Sequence, residues 1–176
     1  MLWLNRLLEF SDLAVADITE IRDNRILQEN MDLIKIGQSE GAFSCIPSLS
    51  LNSIIEYRST MKMITSGLYM VYALLDHYTN LVGYVDIALY LGRGLILGII
   101  LAPEYRGRGV GSTLLKVAEH TLKEWGATVF ETRIHNSNHI SKRFFLRHGY
   151  FFSGIYEEYR DSCGNWRVEE VWRKHV

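Results

Sequence analysis

The chain has 176 residues, of which 48% are hydrophobic and 22% charged, and its formal net charge at pH 7 is −1. This length and composition predict one globular domain with a sizeable core. The near-zero charge excludes a general nucleic-acid-binding protein, which needs a basic face, and no apolar run approaches the length of a membrane span, so we expect no membrane partner.

The first residues and the cysteines give expectations about the cellular location of the chain. The first six residues, MLWLNR, lack the basic start, sustained apolar stretch and small-residue cleavage site of a secretion signal. We therefore expect a cytoplasmic location. Cys45 and Cys163 lie far apart and outside any metal-binding spacing, so the sequence predicts ordinary thiols, with neither a disulfide framework nor a metal site.

The N-terminal third is the least informative part of the chain. Residues 4–10 predict a first strand, Ser11 or Asp12 a helix cap, and residues 13–36 one long helix or two short ones. Residues 37–50 are polar, contain glycine and are interrupted at Pro47, which is typical of a loop. A further helix is predicted for residues 51–64.

From Tyr69 onward strands and helices alternate, which predicts an α/β fold. Residues 69–75 and 81–90 are rich in β-branched and aromatic side chains and are joined by a polar loop, so they predict a hairpin. The run 95–101 is apolar on both faces, as expected for a strand that helices cover on both sides. Pro103 ends this strand.

The second half of the chain continues the same alternation. Residues 109–125 predict an amphipathic helix that Gly126 ends, and residues 128–134 predict a strand. A shorter helix follows, capped by Ser137 or Asn138 and ended by Gly149. Residues 150–157 and 166–172 alternate large apolar with polar side chains, which predicts a closing hairpin.

The most informative motif is RGRGVG at 106–111, between the apolar strand and the amphipathic helix. Glycines let the main chain approach an anion closely, and the first turn of a helix directs unpaired N–H groups and the positive end of its dipole toward that anion. Arg106 and Arg108 add charge-assisted contacts. The motif therefore predicts a cradle for a pyrophosphate.

The spacing separates three kinds of phosphate loop. A Walker loop needs a lysine after its last glycine, and here Gly111 is followed by Ser112. A Rossmann turn needs Gly-x-Gly-x-x-Gly directly after its strand, whereas Ser112 stands at the third glycine position and residues 102–105 intervene. Glu131 lies at the distance of a ribose-binding acid, but within a predicted strand. A Rossmann-like nucleotide-binding protein stays an alternative.

The remaining spacing is Arg/Gln-x-x-Gly-x-Gly/Ala, and with it the chain resembles the GNAT N-acetyltransferase superfamily. The block IILAPEYRGRGVGSTLL at 99–115 is similar to the family's central strand, loop and helix without a gap. The block 138–150, with NHIS at its start and FFLRHGY at its end, resembles the signature that closes the same cofactor site. Two motifs in the family's order are more specific than one.

The resemblance implies a mixed, mostly antiparallel sheet with splayed parallel central strands and helices on both faces. It implies one domain over residues 1–176, with substrate-side helices in 1–65 and a cofactor-binding core in 66–176. Acetyl-CoA would be the co-substrate, without a metal, and the acetyl group would pass directly to a primary amine; homodimers are frequent in the family. The implied cofactor-binding residues are Ile99, Ile100, Leu101, Arg106, Gly107, Arg108, Gly109, Val110, Gly111, Ser112, Asn138 and Phe145.

Transfer to an amine needs a proton acceptor, because an amine with a pKa near ~10.4 is almost entirely protonated at pH 7. Glu131 and His135 are candidates on the strand that borders the splay, and Asp86, on the strand before the central one, is the third. Each also has a structural interpretation. Glu131 would form a surface salt bridge with Arg133 or with a charge on a neighbouring strand. His135 would make a structural contact. Asp86 would occupy a solvated strand position or anchor a cationic substrate.

Phe145 stands where the family usually has the tyrosine that protonates the leaving thiolate. A thiol with a pKa of about ~8.5 is a tolerable leaving group, so the missing hydroxyl predicts a slower enzyme. Tyr105, Tyr150 and Tyr156 are substitutes among which no spacing chooses. The alternative is a non-catalytic module that binds or senses CoA. The acceptor, whether a protein N-terminus, a polyamine, an antibiotic or a metabolite, stays open.

Overall fold

The computed structural model describes residues 13–176, which form a seven-stranded sheet with helices on both faces. The strand predicted for residues 4–10 lies outside the described residues, as do both candidate caps, Ser11 and Asp12. The strands are β1 (Ala14–Asp17), β2 (Tyr69–Leu75), β3 (Leu81–Tyr90), β4 (Arg93–Leu101), β5 (Val129–His135), β6 (Phe151–Arg160) and β7 (Trp166–His175). The helices are α1 (Asn24–Ser39), α2 (Leu51–Ile64), α3 (Val110–Glu124) and α4 (His139–Arg147), and a 3₁₀ turn spans Pro103–Tyr105.

The sheet has the order β1-β2-β3-β4-β5-β7-β6. Only β4 and β5 pair in parallel, and the other neighbours among the described strands are antiparallel. One core lies under α3 and α4, and a second lies under α1. The mixed, mostly antiparallel sheet that the resemblance implied is therefore confirmed. Helix α3 contributes more buried residues to the first core than α4 does, namely Leu114, Leu115, Ala118 and Leu122.

Strand β1 corrects the prediction of a helix from residue 13. Its residues pair antiparallel with β2 at the edge of the sheet. The Asp17 carboxylate accepts from the Thr19 N–H at 2.8 Å directly after the strand. Helix α1 begins only after Asp23, whose side chain caps it. A strand this short shows too little alternation in its sequence to be distinguished from the helix that follows.

The parallel pair opens along its length. Strands β4 and β5 pair from Arg93 and Val129 to Ile96 and Thr132, and no further pair joins them within the described chain. A β-bulge lies at this point, because Asp86 of β3 pairs with Gly98 whereas the next residue pairs with Ile96. A bulge bends its strand and increases its twist. It therefore directs the end of β4 away from β5 and opens the gap.

A disulfide joins Cys45 and Cys163, whose Cα atoms lie 5.7 Å apart, which corrects the prediction of ordinary thiols. The bond links the loop between α1 and α2 to the turn between β6 and β7. The Asp161 carboxylate accepts from the backbone N–H of both cysteines, at 3.3 and 3.0 Å. The partners are 118 positions apart, so the spacing of the cysteines in the sequence gave no sign of the pairing.

Two observations concern the cellular location. In the part of the chain that the structure describes, no helix has both the length and the apolar character needed to cross a bilayer. Disulfides are typical of oxidising compartments, and those in the cytosol are often redox-sensing. The cytoplasmic location stays a prediction.

Reduction of the disulfide is expected to lower the midpoint of thermal unfolding by about 5–15 °C. A bond that closes a long loop restricts the unfolded chain and contributes about 2–4 kcal/mol, and each kcal/mol shifts the midpoint by about 2–4 °C at this chain length. Circular dichroism with and without dithiothreitol measures the shift. The double variant Cys45→Ser/Cys163→Ser should unfold at the lower temperature in both buffers. An identical midpoint for the oxidised and reduced wild type would contradict the expectation.

Candidate active site

The glycine-rich loop presents a run of main-chain donors. Gly107 and Gly109 adopt the left-handed backbone region, with φ of +73° and +80°, and Gly109 is the N-cap of α3. Among the described residues, nothing accepts a hydrogen bond from the backbone N–H groups of residues 107–111, and the next amide, that of Ser112, donates to the Gly109 carbonyl at 3.0 Å. Unpaired N–H groups at the start of a helix bind anions. The loop therefore has the geometry of a phosphate site.

The two arginines of the loop have different surroundings. Arg106 donates from Nε to the Leu101 carbonyl at 3.0 Å and from a terminal nitrogen to Glu40 at 2.8 Å. These contacts brace the loop against the end of β4 and the end of α1. The Arg108 side chain is exposed. Arg108 is therefore the better placed of the two to meet a phosphate without breaking a contact of the fold.

Helix α4 closes the site from the other side. Its N-cap is Asn138, whose Oδ1 accepts from the Ser141 N–H at 3.0 Å. Asn138 also lines the gap between β4 and β5, so capping leaves its amide nitrogen available to a ligand. At the far end of α4, His148 Nε2 lies 2.9 Å from the Ser112 hydroxyl. This contact joins α4 to the first turn of α3.

A cavity of about 230 Å³ occupies the gap between β4 and β5, and we call it the splay cavity. Ile99 contributes to its wall, whereas Ile100 is buried in the core beneath α1 and Leu101 packs toward α3. The lining residues are 95–99 of β4, 131–134 of β5, and Ala42, Phe43, Ser44, Asn138, Ser141, Phe145, Tyr159 and Glu169.

A second cavity of about 340 Å³ lies between the sheet and helices α1 and α2, and we call it the tyrosine cavity. Phe43, Ser44, Leu97 and Gly98 line both cavities, so the two adjoin at the β-bulge. The remaining described lining residues are Asn30, Ile34, Ile46, Leu49, Ser53, Ile54, Tyr57, Arg58, Tyr69, Val71, Tyr84 and Asp86.

Asp86 lies in the tyrosine cavity, opposite Gly98 at the bulge. Its Oδ1 is enclosed and no donor reaches it with hydrogen-bond geometry. Burial raises the pKa of this carboxyl to about 7, against the opposing influence of the Tyr69 hydroxyl, the Arg58 charge and the Tyr57 hydroxyl. A carboxyl that titrates near neutrality is suited to accept and release a proton.

Glu131 lines the splay cavity, but it is only 1% exposed and three arginines surround its carboxylate. The nearest nitrogen of Arg173 lies at 2.9 Å, that of Arg133 at 3.4 Å and that of Arg93 at 3.7 Å. The Glu131 carboxylate is the partner that these three guanidinium groups share, and Arg133 also pairs with Glu157. The pair with Arg133 that its structural interpretation foresaw is therefore present, within a larger cluster that ties β4, β5 and β7 together.

His135 ends β5 and lines neither cavity. Its Nδ1 lies 2.8 Å from the Ser137 hydroxyl. Burial lowers the pKa of the imidazole, and the charge of Arg167 lowers it further. The structure thus does not bring the three catalytic candidates together: Asp86 lies in the tyrosine cavity, Glu131 in the splay cavity and His135 outside both.

The candidate proton donors for the leaving thiolate also differ in whether they line a cavity. Phe145 lines the splay cavity without a hydroxyl, and of the substitutes considered above, Tyr105, Tyr150 and Tyr156 line neither cavity. Tyr159 does line the splay cavity. Its hydroxyl lies 2.7 Å from the Ser44 hydroxyl and donates to Glu169 at 2.9 Å. Sequence reasoning missed Tyr159, because it reaches the cavity through the pairing of β6 with β7 and of β7 with β5, which no motif displays.

Comparison with known families gives a match to the model described as the acetyltransferase (GNAT) family. The match covers residues 47–150, more than half of the chain, and includes the glycine-rich loop, β4, β5 and α4.

Individual curated proteins are similar to this chain over part of its length. The chain is 26% identical over 100 residues to spermidine N(1)-acetyltransferase of Thermoplasma acidophilum, covering 57% of this chain and 58% of that protein. It spans less than two thirds of the curated relatives that it matches.

Solved structures are similar over nearly the whole chain. The ribosomal-protein-alanine N-acetyltransferase of Brucella melitensis has a TM-score of 0.70 at 16% identity, covering 85% of this chain and 94% of that one. The yncA protein of Salmonella typhimurium, solved with its cofactor acetyl-CoA, has a TM-score of 0.72 at 13% identity, covering 94% of each chain. At these identities the likeness shows a common fold.

Proposed function

Because the chain belongs to the acetyltransferase (GNAT) family, we propose that it transfers an acetyl group from acetyl-CoA directly to a primary amine. The observation that carries the proposal is the run of unpaired N–H groups at residues 107–111, beside the opening between β4 and β5. A Cβ atom built on Gly107 or Gly109 would meet nothing within 4 Å, so the space in front of the loop is open. The residues present therefore fit a diphosphate.

The positions of the glycine-rich loop and of the gap between β4 and β5 let us assign roles to the residues around them. The amides of residues 107–111 and the side chain of Arg108 would hold the diphosphate, with Arg106 bracing the loop. The amide-bearing pantetheine arm of CoA would be held by Asn138 and by main-chain groups of residues 97–99, which have no partner in β5. When bound, acetyl-CoA supplies an acetyl thioester, whose C–S bond breaks as the C–N bond of the product forms.

We assign the role of general base to Asp86. The proton that the amine loses is taken by its carboxylate, whose pKa burial raises to about 7 and which lies beside residues that line both cavities. Glu131 is assigned a positioning role, because its charge holds three arginines. His135 lies outside both cavities, and we assign it no catalytic role.

Tyr159 is assigned as the hydroxyl that turns its proton from Glu169 toward the departing sulfur. Replacing it with phenylalanine is expected to lower kcat by about 10- to 100-fold, since one positioned proton donor contributes on this scale. The dissociation constant of acetyl-CoA should change by less than about twofold. Stopped assays of CoA release and titration calorimetry measure the two quantities.

Tyr156→Phe is the matched control, because Tyr156 lies on the same strand, is 57% exposed and lines neither cavity. Its kcat should equal that of the wild type. A wild-type kcat in the Tyr159→Phe variant would show that water, and not this hydroxyl, supplies the proton.

The proposed function itself is tested by two measurements. CoA release should depend on both acetyl-CoA and an amine, across a broad amine panel. Tight binding of acetyl-CoA without turnover of any amine would instead favour a non-catalytic CoA-binding module, which the phenylalanine at position 145 motivates. In thermal-shift assays acetyl-CoA should stabilise the protein more than NAD does. The reverse order would favour a nucleotide-binding protein of the Rossmann kind.

A further inference from the structure

The tyrosine cavity holds most of the enclosed polar atoms that the fold leaves without a partner. Among the described residues five buried side-chain nitrogen or oxygen atoms make no hydrogen bond, and three of them belong to Asn30, Tyr69 and Asp86, which line this cavity. Folded proteins satisfy nearly all such atoms. The Tyr69 and Tyr57 hydroxyls also lie close enough to Asp86 to lower the pKa of its carboxyl, so the cavity gathers enclosed polar groups around one acidic side chain, as expected of a site for a cationic ligand.

The charges of the cavity define how many cationic groups that ligand carries. Asp86 is the one acidic residue and Arg58 the one basic residue among its described lining. Arg58 is 4% exposed, and it donates to the Ile18 carbonyl at 2.7 Å and to Asn30 Oδ1 at 2.8 Å. A single ammonium group can thus be balanced by Asp86. A second one would lie among apolar side chains or beside the Arg58 guanidinium, where the described lining offers it no anion, so no ion pair would compensate for the water that it loses.

The rest of the lining suits an apolar body. Aliphatic side chains such as Ile34, Ile54 and Leu97 and the rings of Tyr57 and Tyr84 form most of the wall. Apolar pockets with a few convergent polar groups are the usual form of sites for small molecules. Aromatic rings also favour a cation at their faces, so they support the ammonium group near Asp86 without adding a second charge.

From these observations we propose that the acetyl acceptor is a small primary amine with one positive charge and an alkyl or aromatic body, bound in the tyrosine cavity with its nitrogen at Asp86. This inference rests on the proposed function and specifies its acceptor. The nitrogen is then next to Gly98, which lines both cavities. The body of the amine extends toward α1 and α2. Polyamines, including the spermidine for which one relative is named, are disfavoured.

The test compares two amines of equal length, n-hexylamine and 1,6-diaminohexane, with acetyl-CoA at saturation and pH 8. We expect kcat/KM to be at least about tenfold higher for hexylamine, although the diamine has two reactive ends. Spermidine should resemble the diamine. Equal or higher kcat/KM for 1,6-diaminohexane or spermidine would overturn the inference.

A variant at the exposed edge of the tyrosine cavity distinguishes selection of the amine by charge from selection by shape. Ile46 lines the cavity and is 43% exposed, so a polar side chain there remains in contact with water. Ile46→Glu should raise the ratio of kcat/KM for diamine over monoamine at least about fivefold, because it offers a second ammonium its own anion. Ile46→Gln has the same shape and should leave the ratio as in the wild type. The same ratio in both variants would contradict a selection by charge.

Calorimetry with acetyl-CoA alone distinguishes the failure of this inference from that of the proposed function. If acetyl-CoA fails to bind, the proposed function is wrong and the acceptor assignment falls with it. If acetyl-CoA binds and only polyamines are acetylated, the proposed function stands and the acceptor assignment is wrong. Binding of acetyl-CoA without turnover of either hexyl amine also overturns the acceptor assignment.

Discussion

Replacing Gly109 with valine is expected to raise the dissociation constant of acetyl-CoA by about 100-fold. Gly109 has a φ of +80° at the first turn of α3, a conformation that costs a side-chain-bearing residue about 1–2 kcal/mol and is an outlier for a β-branched one. Relief of this strain rotates the neighbouring peptides, so that the N–H groups of residues 107–111 no longer converge. Loss of two hydrogen bonds to a charged group, at the lower value of about 1.5 kcal/mol each, accounts for a factor of about 100.

Gly126→Val provides the matched control at the opposite end of the same helix. Its φ is +91°, and a Cβ atom there also meets nothing within 4 Å, so the backbone strain is similar. Both variants should lose comparable thermal stability, whereas only Gly109→Val should lose affinity in titration calorimetry. If Gly109→Val binds acetyl-CoA as tightly as the control does, the loop is not the diphosphate site.

Replacing Asp86 with asparagine is expected to lower kcat/KM by about 10²- to 10⁴-fold, the usual contribution of a general base. The side chain keeps its shape but loses the ability to take the proton of the amine. Acetyl-CoA affinity should be unchanged, because Asp86 lines the tyrosine cavity and not the splay cavity. Steady-state kinetics with hexylamine and calorimetry with acetyl-CoA measure the two effects. A variant with wild-type kcat/KM would exclude Asp86 as the base.

The pH dependence provides an independent check of the same residue. Because burial raises the pKa of Asp86 to about 7, wild-type kcat/KM should rise with an inflection near that pH as the carboxyl loses its proton. The inflection should be absent from the residual activity of Asp86→Asn. An inflection at the same pH in the variant would assign it to another group.

The same carboxyl links activity to stability. The unfolded chain loses this proton near pH ~3.9, whereas the folded chain retains it up to about pH 7. The folded state therefore binds the proton more tightly, and wild-type stability falls as the pH rises between these two values. Asp86→Asn lacks this loss, so it should unfold at a higher temperature than the wild type at pH 8 and at a similar temperature near pH 4.

The order of strands and helices from Tyr69 onward could be predicted from sequence. Segments 69–75 and 81–90 alternate and are bounded by polar turns, and their predicted limits agree with β2 and β3. The helix after the glycine-rich loop is also confirmed, because its apolar stripe and the glycines at both ends are local signals. Residues 13–17 were assigned wrongly to a helix, since their strand is formed by pairing with β2, which local periodicity does not record.

In the candidate site, too, the features that depend on consecutive residues could be predicted, and those that depend on contacts between distant segments could not. The loop at 106–111 could be located because its function depends on consecutive residues and their backbone conformation. Tyr159 and the disulfide could not, since each depends on segments that approach only in the folded sheet. Asp86 was identified as a candidate by its strand. Its enclosed oxygen and the tyrosine hydroxyls around it depend on the packing of α2 against the sheet.

Viewed face-on, β4 and β5 form a V whose apex is their last pair, Ile96 and Thr132. One arm holds β1 to β4 and the other holds β5 to β7. The Cys45–Cys163 bond joins the loop between α1 and α2, on the side of the first arm, to the β6–β7 hairpin of the second arm. The contact between the Ser44 and Tyr159 hydroxyls joins the same two segments. A covalent tether across the mouth of a V limits how far its arms can part. We therefore expect the two arms to separate less in the oxidised protein than in the reduced one.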